Sequence, residues 1–310
     1  MTDSIRQAFV LGAGLGTRLK ALTARLPKPL VPVANRPLIT YAFDHLLAAG
    51  VEKLVVNTHH CAEQYLPAFP QGKYRDAALH FRHEPVLLET AGGIANVADL
   101  LGDEPFIVYN GDVFTDLPLA PAIEHHFREG NEVTLVLRSD TGPRQITLDE
   151  TTGRIRDLGS RLHPDVTPGH LFTGVYIVQP EFIRRIPPGQ KLSVVPIFVE
   201  MIKTGARLGG LVLDRGCWYD LGTRGQYLHV HRELHRLGRG DFMAPDASVA
   251  PEVRLLGATA VAAGAQVGSG VVLQDCVVWE NAVVAPGAQL TNCIVTAGAR
   301  VSGTHTDADF

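Results

Sequence analysis

The chain has 310 residues, an ordinary apolar fraction of 45% and a formal net charge of −4. Such a length suits two domains or one large one, and the mild acidity excludes bulk binding to nucleic acid or to an anionic membrane. The longest apolar runs fall well short of the roughly 20 residues that cross a bilayer, so no membrane span is expected.

The first elements alternate strand and helix. AFVL at 8–11 is a short apolar strand that runs into the glycine-rich loop GAGLGTR. PLITYAFDHLLAAG at 37–50 has helical spacing, with Pro37 suited to a first turn and Gly50 to a C-terminal stop. KLVVN at 53–57, PFIVYNGD at 105–112, EVTLVLR at 132–138, GVYIV at 174–178 and LGGLVLD at 208–214 read as further strands. Strands interleaved with helices predict an α/β sheet with crossover connections. Ligands of such sheets sit beyond the carboxyl ends of the strands, where the glycine loop and Asp112 both fall. A helix and linker are expected over 228–245.

Beyond residue 240 charge thins out and a repeat begins. Ala247, Ala265, Ala282 and Ala299 recur at 18, 17 and 17, and Cys276 and Cys293 lie 17 apart. A period near 18 corresponds to three hexapeptides per triangular coil, each coil burying its inward residues on the next. The expectation is a left-handed parallel β-helix of about three coils over 241–310, following a Rossmann-like mixed sheet domain over 1–240. Cys276 and Cys293 then read as inward packing residues. The four cysteines contain no CxxC pair, and no signal peptide precedes the first strand, which points to reduced thiols and a cytoplasmic location.

The loop at 11–18 fails two familiar patterns. A dinucleotide fingerprint needs G-x-G-x-x-G and an acidic residue at the end of the second strand, but here the third glycine comes one place early and that strand ends in Asn57. A Walker A loop needs GK[ST], and this chain has Gly16-Thr17-Arg18. What remains is a glycine loop whose backbone N–H groups can come close to phosphates, with Arg18 offering a guanidinium fork. Lys28, stiffened between Pro27 and Pro29, suits a point charge aimed at a phosphate. A glycine-rich turn with a surface arginine is the alternative.

LGAGLGTRLKALTARLPKPLVPVANRPLI resembles the N-terminal signature of the sugar-1-phosphate nucleotidyltransferases, the NDP-sugar pyrophosphorylases. The likeness continues through ETAGGI (89–94), YNGDVF (109–114), FTGVYIV (172–178) and WYDLGT (218–223), and a short hexapeptide tail is common in that family. The resemblance implies attack of a sugar 1-phosphate on the α-phosphorus of an NTP, with Mg²⁺ as cofactor. It implies that Leu11, Gly12, Ala13, Gly14, Gly16 and Thr17 hold the nucleotide, with Arg18 on the β- and γ-phosphates and Lys28 bridging the α-phosphate and the sugar phosphate. Gly92, Gly93 and Glu84 would face the base, while Asn110, Gly111 and Gly174 would face the sugar. Asp112 and Asp220 would bind the metal, two hard carboxylates suited to Mg²⁺.

The PKPLVPVANRPLI segment is closer to mannose-1-phosphate guanylyltransferases, which makes GTP and mannose 1-phosphate the expected substrates. The region around ETAGG is similar to N-acetylmuramate-1-phosphate uridylyltransferases, which makes UTP the alternative. The family's Glu-Lys-Pro is absent: no lysine lies between residues 74 and 190, and Arg161 is the candidate replacement. A catalytically silent sugar-nucleotide sensor and an acyltransferase on the coil are competing readings. The first predicts loss of Arg18, Lys28, Asp112 or Asp220; the second needs a histidine base, and none occurs from 241 to 303. His59-His60-Cys61 and the helical pair His231 and His235 are weaker metal candidates. A homo-oligomer is expected, because the last coil needs a cap or a partner.

Overall fold

The computed structural model describes residues 4–310. The chain divides into two compact units: the described residues through Leu15 together with Ile39–Trp218, and Gly16–Leu38 together with Tyr219–Phe310.

The first unit is built on one sheet. Its strands are β1 (Gln7–Leu11), β2 (Lys53–Thr58), β3 (Lys73–Tyr74), β4 (Ala77–His83), β5 (Phe106–Asn110), β6 (Val133–Arg138), β7 (Ile146–Asp149), β8 (Arg154–Leu158), β9 (Leu171–Val178) and β10 (Leu208–Val212). Their spatial order is β7-β8-β10-β6-β9-β5-β1-β2-β4-β3. β1 is central and pairs in parallel with β2 and β5, while β9 runs antiparallel between β5 and β6. Helices α1 (Ile39–Ala48), α2 (Glu89–Asn96), α3 (Leu119–Arg128) and α4 (Val194–Lys203) belong to the same unit. Covered on both faces, the middle strands are apolar throughout: Ala8, Phe9 and Val10 of β1 and Phe106 to Tyr109 of β5 are fully buried. Val194, Ile197, Phe198 and Met201 of α4, at helical spacing, close the core beside Tyr176 and Val178.

The sheet is wider than the periodicity predicts. The β3–β4 edge and the β7–β8 hairpin were not expected, because such edge strands carry polar residues on their outer face. In β4, Leu79 and Phe81 do alternate with the polar His80 and Arg82. β9 begins at Leu171, three residues ahead of the expected start.

In the second unit, residues 254–256, 272–274, 289–291 and 304–306 form one parallel sheet, and 248–249, 266–267, 283–284 and 300–301 form another. A third holds Ala260–Val261, Val277–Val278 and Ile294–Val295, extended by single bridges from Met243 and to Asp309. This is the left-handed parallel β-helix, and at nearly four rungs it is longer than the three coils expected. Its column of Ala265, Val267, Leu273, Cys276, Val284, Leu290 and Cys293 is buried, and both cysteines are free thiols. From Gly257 onward, each corner is turned by a residue of left-handed backbone. The three corner columns are Gly257, Asp275, Asn292 and Asp307; Gly264, Asn281 and Gly298; and Gly270, Gly287 and Gly303. Only Gly, Asn and Asp adopt that conformation cheaply, so the corner composition is fixed by the dihedral.

Helix α5 (Arg224–Arg236) opens on Thr223, whose hydroxyl accepts the Gln226 N–H, and it starts four residues before the expected 228. It buries Tyr227, Leu228, Val230, His231 and Leu234. Its outer arginines clamp it to the coil: Arg224 donates to Asp309 at 2.6 Å, and Arg232 bonds the Asn292 side chain.

Candidate active site

Three glycines of the loop after β1 have separate reasons to be glycine. The N–H of Gly12 donates to Asn57 Oδ1 at 2.8 Å, and its carbonyl accepts from the Tyr65 hydroxyl at 3.0 Å. A Cβ on Gly12 would lie 2.6 Å from the Asn57 carbonyl oxygen, so no side chain fits. Gly16 has φ +62° and turns the chain into a 3₁₀ segment, Thr17–Thr23. Gly14 is different: it is exposed, its φ is not left-handed, and no protein atom lies within 4 Å of where its Cβ would be. Neither packing nor backbone conformation demands a glycine there, and the space over that backbone is open to a ligand. Leu11 is half-buried, Ala13 buried and Thr17 exposed.

Behind this loop lies a buried polar relay. Asn57 Nδ2 donates to Glu84 Oε1 at 2.8 Å, and Glu84 Oε2 accepts the Leu88 N–H at 3.0 Å. Glu84 is fully buried. Both oxygens of Glu84, expected to face the base, accept bonds within the protein, and through Asn57 they orient the Gly12 N–H. A carboxylate without solvent must find such donors, or its desolvation goes uncompensated. Gly93 packs on this relay, since a Cβ would lie 2.9 Å from Asn57 Nδ2, and a Cβ on Gly92 would lie 2.4 Å from the Gln190 carbonyl oxygen. Folding alone requires both glycines.

At the end of β5, the Gly111 N–H donates to the Leu11 carbonyl at 3.0 Å, and a Cβ there would lie 2.7 Å from that oxygen. The turn Asn110–Gly111–Asp112 is thereby joined to the start of the glycine loop. Asp112 is half-buried. Gly174, φ +80°, lies against the Asn110 side chain, where a Cβ would come 2.4 Å from Nδ2. It sits in a bulge: Phe172 pairs with Leu137, but Tyr176 pairs with Leu135, four steps along β9 against two along β6. Thr173 holds the bulge open by donating to the Val136 carbonyl at 2.8 Å, and Trp218 Nε1 donates to the Thr173 carbonyl at 2.9 Å. Below the turn, His45 Nε2 donates to the Leu117 carbonyl at 2.6 Å, so Nδ1 accepts from the Tyr109 hydroxyl at 3.0 Å. Burial lowers the His45 pKa from its ordinary value and keeps that tautomer neutral.

In the second unit, two cations meet one carboxylate. Lys28 Nζ lies 3.4 Å from Asp220 Oδ1, and Arg18 Nη2 lies 3.6 Å from Asp220 Oδ2. The Lys28 side chain is only 6% exposed, the Arg18 side chain 64%. The guanidinium lies over Gly222, where a Cβ would come 2.6 Å from Nη1. Lys28 opens a 3₁₀ turn, Lys28–Leu30, in which Val31 N–H bonds back to the Lys28 carbonyl at 3.1 Å. A lysine side chain so nearly buried needs nearby negative charge to offset its lost hydration.

The remaining candidates have structural partners. His59 Nδ1 donates to the Glu84 carbonyl at 2.7 Å, and His60 lies 3.4 Å from the Cys61 sulfur. His231 is buried, with Nδ1 donating to the Tyr227 carbonyl at 2.9 Å and Nε2 accepting the Ala34 N–H at 3.1 Å, while His235 stacks edge-on with Phe242. No group of three or more His, Cys, Asp or Glu among the described residues is placed to hold a metal. Arg161 is exposed, in a loop organised by buried Asp157, which accepts backbone N–H bonds from Arg161, Leu162 and His163. Burial raises the Asp157 pKa, but these bonds outweigh it and leave a net lowering. Asn57, Tyr65, Thr173 and Gly222 escaped the sequence reading. Only Asn57 had a signal, as a polar residue ending an apolar strand.

The family model described as nucleotidyl transferase matches residues 7–236. The mannose-1-phosphate guanylyltransferase of Mycobacterium tuberculosis is 31% identical over 295 residues, covering 90% of this chain and 81% of that protein. The N-acetylmuramate alpha-1-phosphate uridylyltransferase of Neisseria meningitidis is 33% identical over 220 residues, 70% of this chain and 93% of that one. Among solved structures, UDP-glucose pyrophosphorylase from Acinetobacter baumanii shares the fold, with TM-score 0.63 at 16% identity over 74% of this chain and 94% of that one. HddC from Yersinia pseudotuberculosis does so with TM-score 0.60 at 21% identity over 73% and 98%. No helix among the described residues is long and apolar enough to cross a membrane.

Proposed function

The chain belongs to the nucleotidyl transferase family, and from that premise we propose that it joins a nucleoside triphosphate to a sugar 1-phosphate, giving an NDP-sugar and pyrophosphate. An oxygen of the sugar phosphate attacks the α-phosphorus. A new P–O bond forms there, and the bond from the α-phosphorus to the bridging oxygen breaks, with its electron pair leaving on pyrophosphate. The nucleophile is already an anion, so the protein supplies position and positive charge more than proton transfer.

The observation that carries this reading is the approach of Arg18 and Lys28 to opposite oxygens of Asp220. Asp220 keeps the two cations from repelling each other before phosphates arrive. Arg18 then takes the β- and γ-phosphate oxygens, and Lys28 takes the α-phosphate and the sugar phosphate. The backbone from Leu11 to Thr17 carries the nucleotide, with Gly14 as the point of closest approach. Asn110, Gly111 and Gly174 border the sugar. Gly92 and Gly93 shape the wall for the base, and Glu84 orients that wall through Asn57.

Asp112 and Asp220 are the proposed ligands of Mg²⁺. The donor set fits in kind, since both are hard carboxylates on partly exposed side chains. When bound, Mg²⁺ neutralises phosphate charge and favours departure of pyrophosphate.

GTP and mannose 1-phosphate are the proposed substrates, by likeness to the mycobacterial relative over most of both chains. UTP with N-acetylmuramate 1-phosphate is the second reading, favoured by the 33% identity to the Neisseria protein. The four free thiols suit a reducing compartment, so the cytoplasm is the proposed location, and a homo-oligomer is the proposed assembly. Incubation with Mg²⁺, each NTP and a panel of sugar 1-phosphates, with pyrophosphate as readout, tests the whole scheme. No release with any pair refutes it, and the most efficient pair identifies the substrates.

A further inference from the structure

The segment bearing Arg18 and Lys28 belongs to the same compact unit as α5 and the C-terminal coil. Two residues past the Lys28–Leu30 turn, Pro32–Val33 pairs with Arg36–Pro37 in a tight hairpin. Ala34 and Asn35 form its tip, with φ +44° and +61°, the two left-handed residues of a type I′ turn. Three tethers hold it. The Pro32 carbonyl accepts from the Tyr227 hydroxyl at 2.5 Å, and the Ala34 N–H donates to His231 at 3.1 Å. The Asn35 side-chain amide donates to the carbonyl of Val261, on the coil, at 3.0 Å. Coil residue Trp279 in turn donates its indole N–H to the Tyr227 hydroxyl at 3.0 Å.

We infer that the coil is a positioning element for the reaction, with Asn35 and Trp279 as the residues through which it fixes Lys28. This rests on the reading of Lys28 given above. A lysine carries about 2 kcal/mol of side-chain entropy, and a charge misplaced by about 1 Å weakens a transition-state contact severely. Lys28 sits in a short turn whose backbone bonds, Leu30 N–H to the Pro27 carbonyl at 2.9 Å and Val31 N–H to the Lys28 carbonyl at 3.1 Å, stay within residues 27–31. Its placement is therefore inherited from the hairpin, and the hairpin's from α5 and the coil. An inert tail would have no reason to reach Asn35 with a backbone carbonyl, or to send an indole N–H to the tyrosine that holds Pro32.

Asn35→Gly keeps the left-handed turn and deletes the tether, and Asn35→Asp keeps the shape but replaces the donor by an acceptor facing a carbonyl. Trp279→Phe removes the indole donor. Each is expected to lower kcat about tenfold, Asn35→Asp at least as much as Asn35→Gly, with a smaller change in KM for the triphosphate. Hydrogen exchange at the Leu30 and Val31 amides is expected to quicken about tenfold, with the middle of α5 unchanged. Asn281→Ala, at a coil corner that makes no contact to the hairpin, serves as the control. It should lower Tm and leave kcat alone, which a merely stabilising coil would not distinguish from the Asn35 variants. Parental kcat together with parental exchange in the Asn35 and Trp279 variants would overturn the inference. Faster exchange at Leu30 and Val31 with unchanged kcat would equally overturn it, leaving the tether as purely structural. Absence of pyrophosphate release by the parent itself strikes the proposed function instead, and the exchange measurement then still decides whether the coil fixes the Lys28 turn.

Discussion

Gly12 in the sheet unit and Gly287 in the coil unit are glycine for opposite reasons. Gly12 has an ordinary backbone but no room: a Cβ would lie 2.6 Å from the Asn57 carbonyl oxygen. Gly287 has open space around it but φ +74°. The sheet unit is assembled from contacts distant in sequence, and Gly12, Gly93 and Gly111 around its glycine loop are set by collision. The coil repeats one local unit, and corner positions such as Gly270, Gly287 and Gly298 are set by dihedral angle. Collisions tolerate no substitute, whereas a left-handed corner accepts Asn or Asp, as at Asp275, Asn281 and Asn292.

The largest effects are expected where each unit contributes charge. Lys28→Met should lower kcat by about a thousandfold, the scale of removing one preorganised charge from a phosphoryl-transfer site. Asp112→Asn should do at least as much with unchanged Tm. Turnover within tenfold of the parent in either variant would show that the role belongs to another residue.

Gly12→Ala pits the two units directly against a coil substitution. Forcing a methyl group against the Asn57 carbonyl and the Tyr65 hydroxyl should cost about 3 kcal/mol and disturb the Glu84–Asn57 relay. Gly287→Asn, by contrast, should change stability by under about 0.5 kcal/mol. Chemical denaturation of both variants checks the contrast, and equal losses would break it.

Acid should find a comparable weakness in both units. His126, bonded to Thr134 and Gln179 in the sheet unit, and His231, in the coil unit, are each lowered by burial to a pKa of about 4. Above the ordinary value of 6.5 both states of each histidine are neutral, so neither histidine biases folding there. As pH falls below 6.5 the unfolded chain takes up the proton and the native chain does not, until about pH 4. Stability should therefore drop with falling pH by about 1.4 kcal/mol per unit for each histidine, then level off. His126→Gln should flatten the acid response of hydrogen exchange in β6, and His231→Gln that in α5. An unchanged slope in either variant assigns the acid sensitivity elsewhere.

The same contrast governs how much was legible in the sequence. Phe9, Val55 and Val108 lie on strands buried on both sides, and their apolar runs announce the central sheet. Arg18, Lys28 and Asp220 were picked out by motif, and the structure brings them together. Leu79 and Phe81 alternate with His80 and Arg82, but on a strand next to the sheet edge, where the signal is weak. The burial of Glu84 was not legible, because a loop carboxylate next to proline gives no sign of it; only the fold reveals its bonds to Asn57 and the Leu88 N–H. The hairpin tethers were invisible for a similar reason, since Asn35 and Val261 are 226 residues apart and nothing local connects them. In the coil the 17-residue period showed at once through Ala265 and Cys276. The corner columns went unremarked, although Gly264, Asn281 and Gly298 recur with that same rhythm.

Of the losses expected, the one at those corners is the smallest and the cleanest. Asn281 turns its corner with φ +56°, and its neighbours in the column are Gly264 and Gly298. Asn281→Ala places a residue in the left-handed region without the local hydrogen bonding that makes asparagine tolerable there, at about 1 kcal/mol. Asn281→Gly needs no such help, so it should recover the parental stability to within a few tenths of a kcal/mol. The pair is read by denaturation midpoint. If alanine and glycine lose equally, then the asparagine side chain, and not the dihedral, sets the corner, and the account of the coil given by Gly287 would have to be replaced by one based on stacked amides.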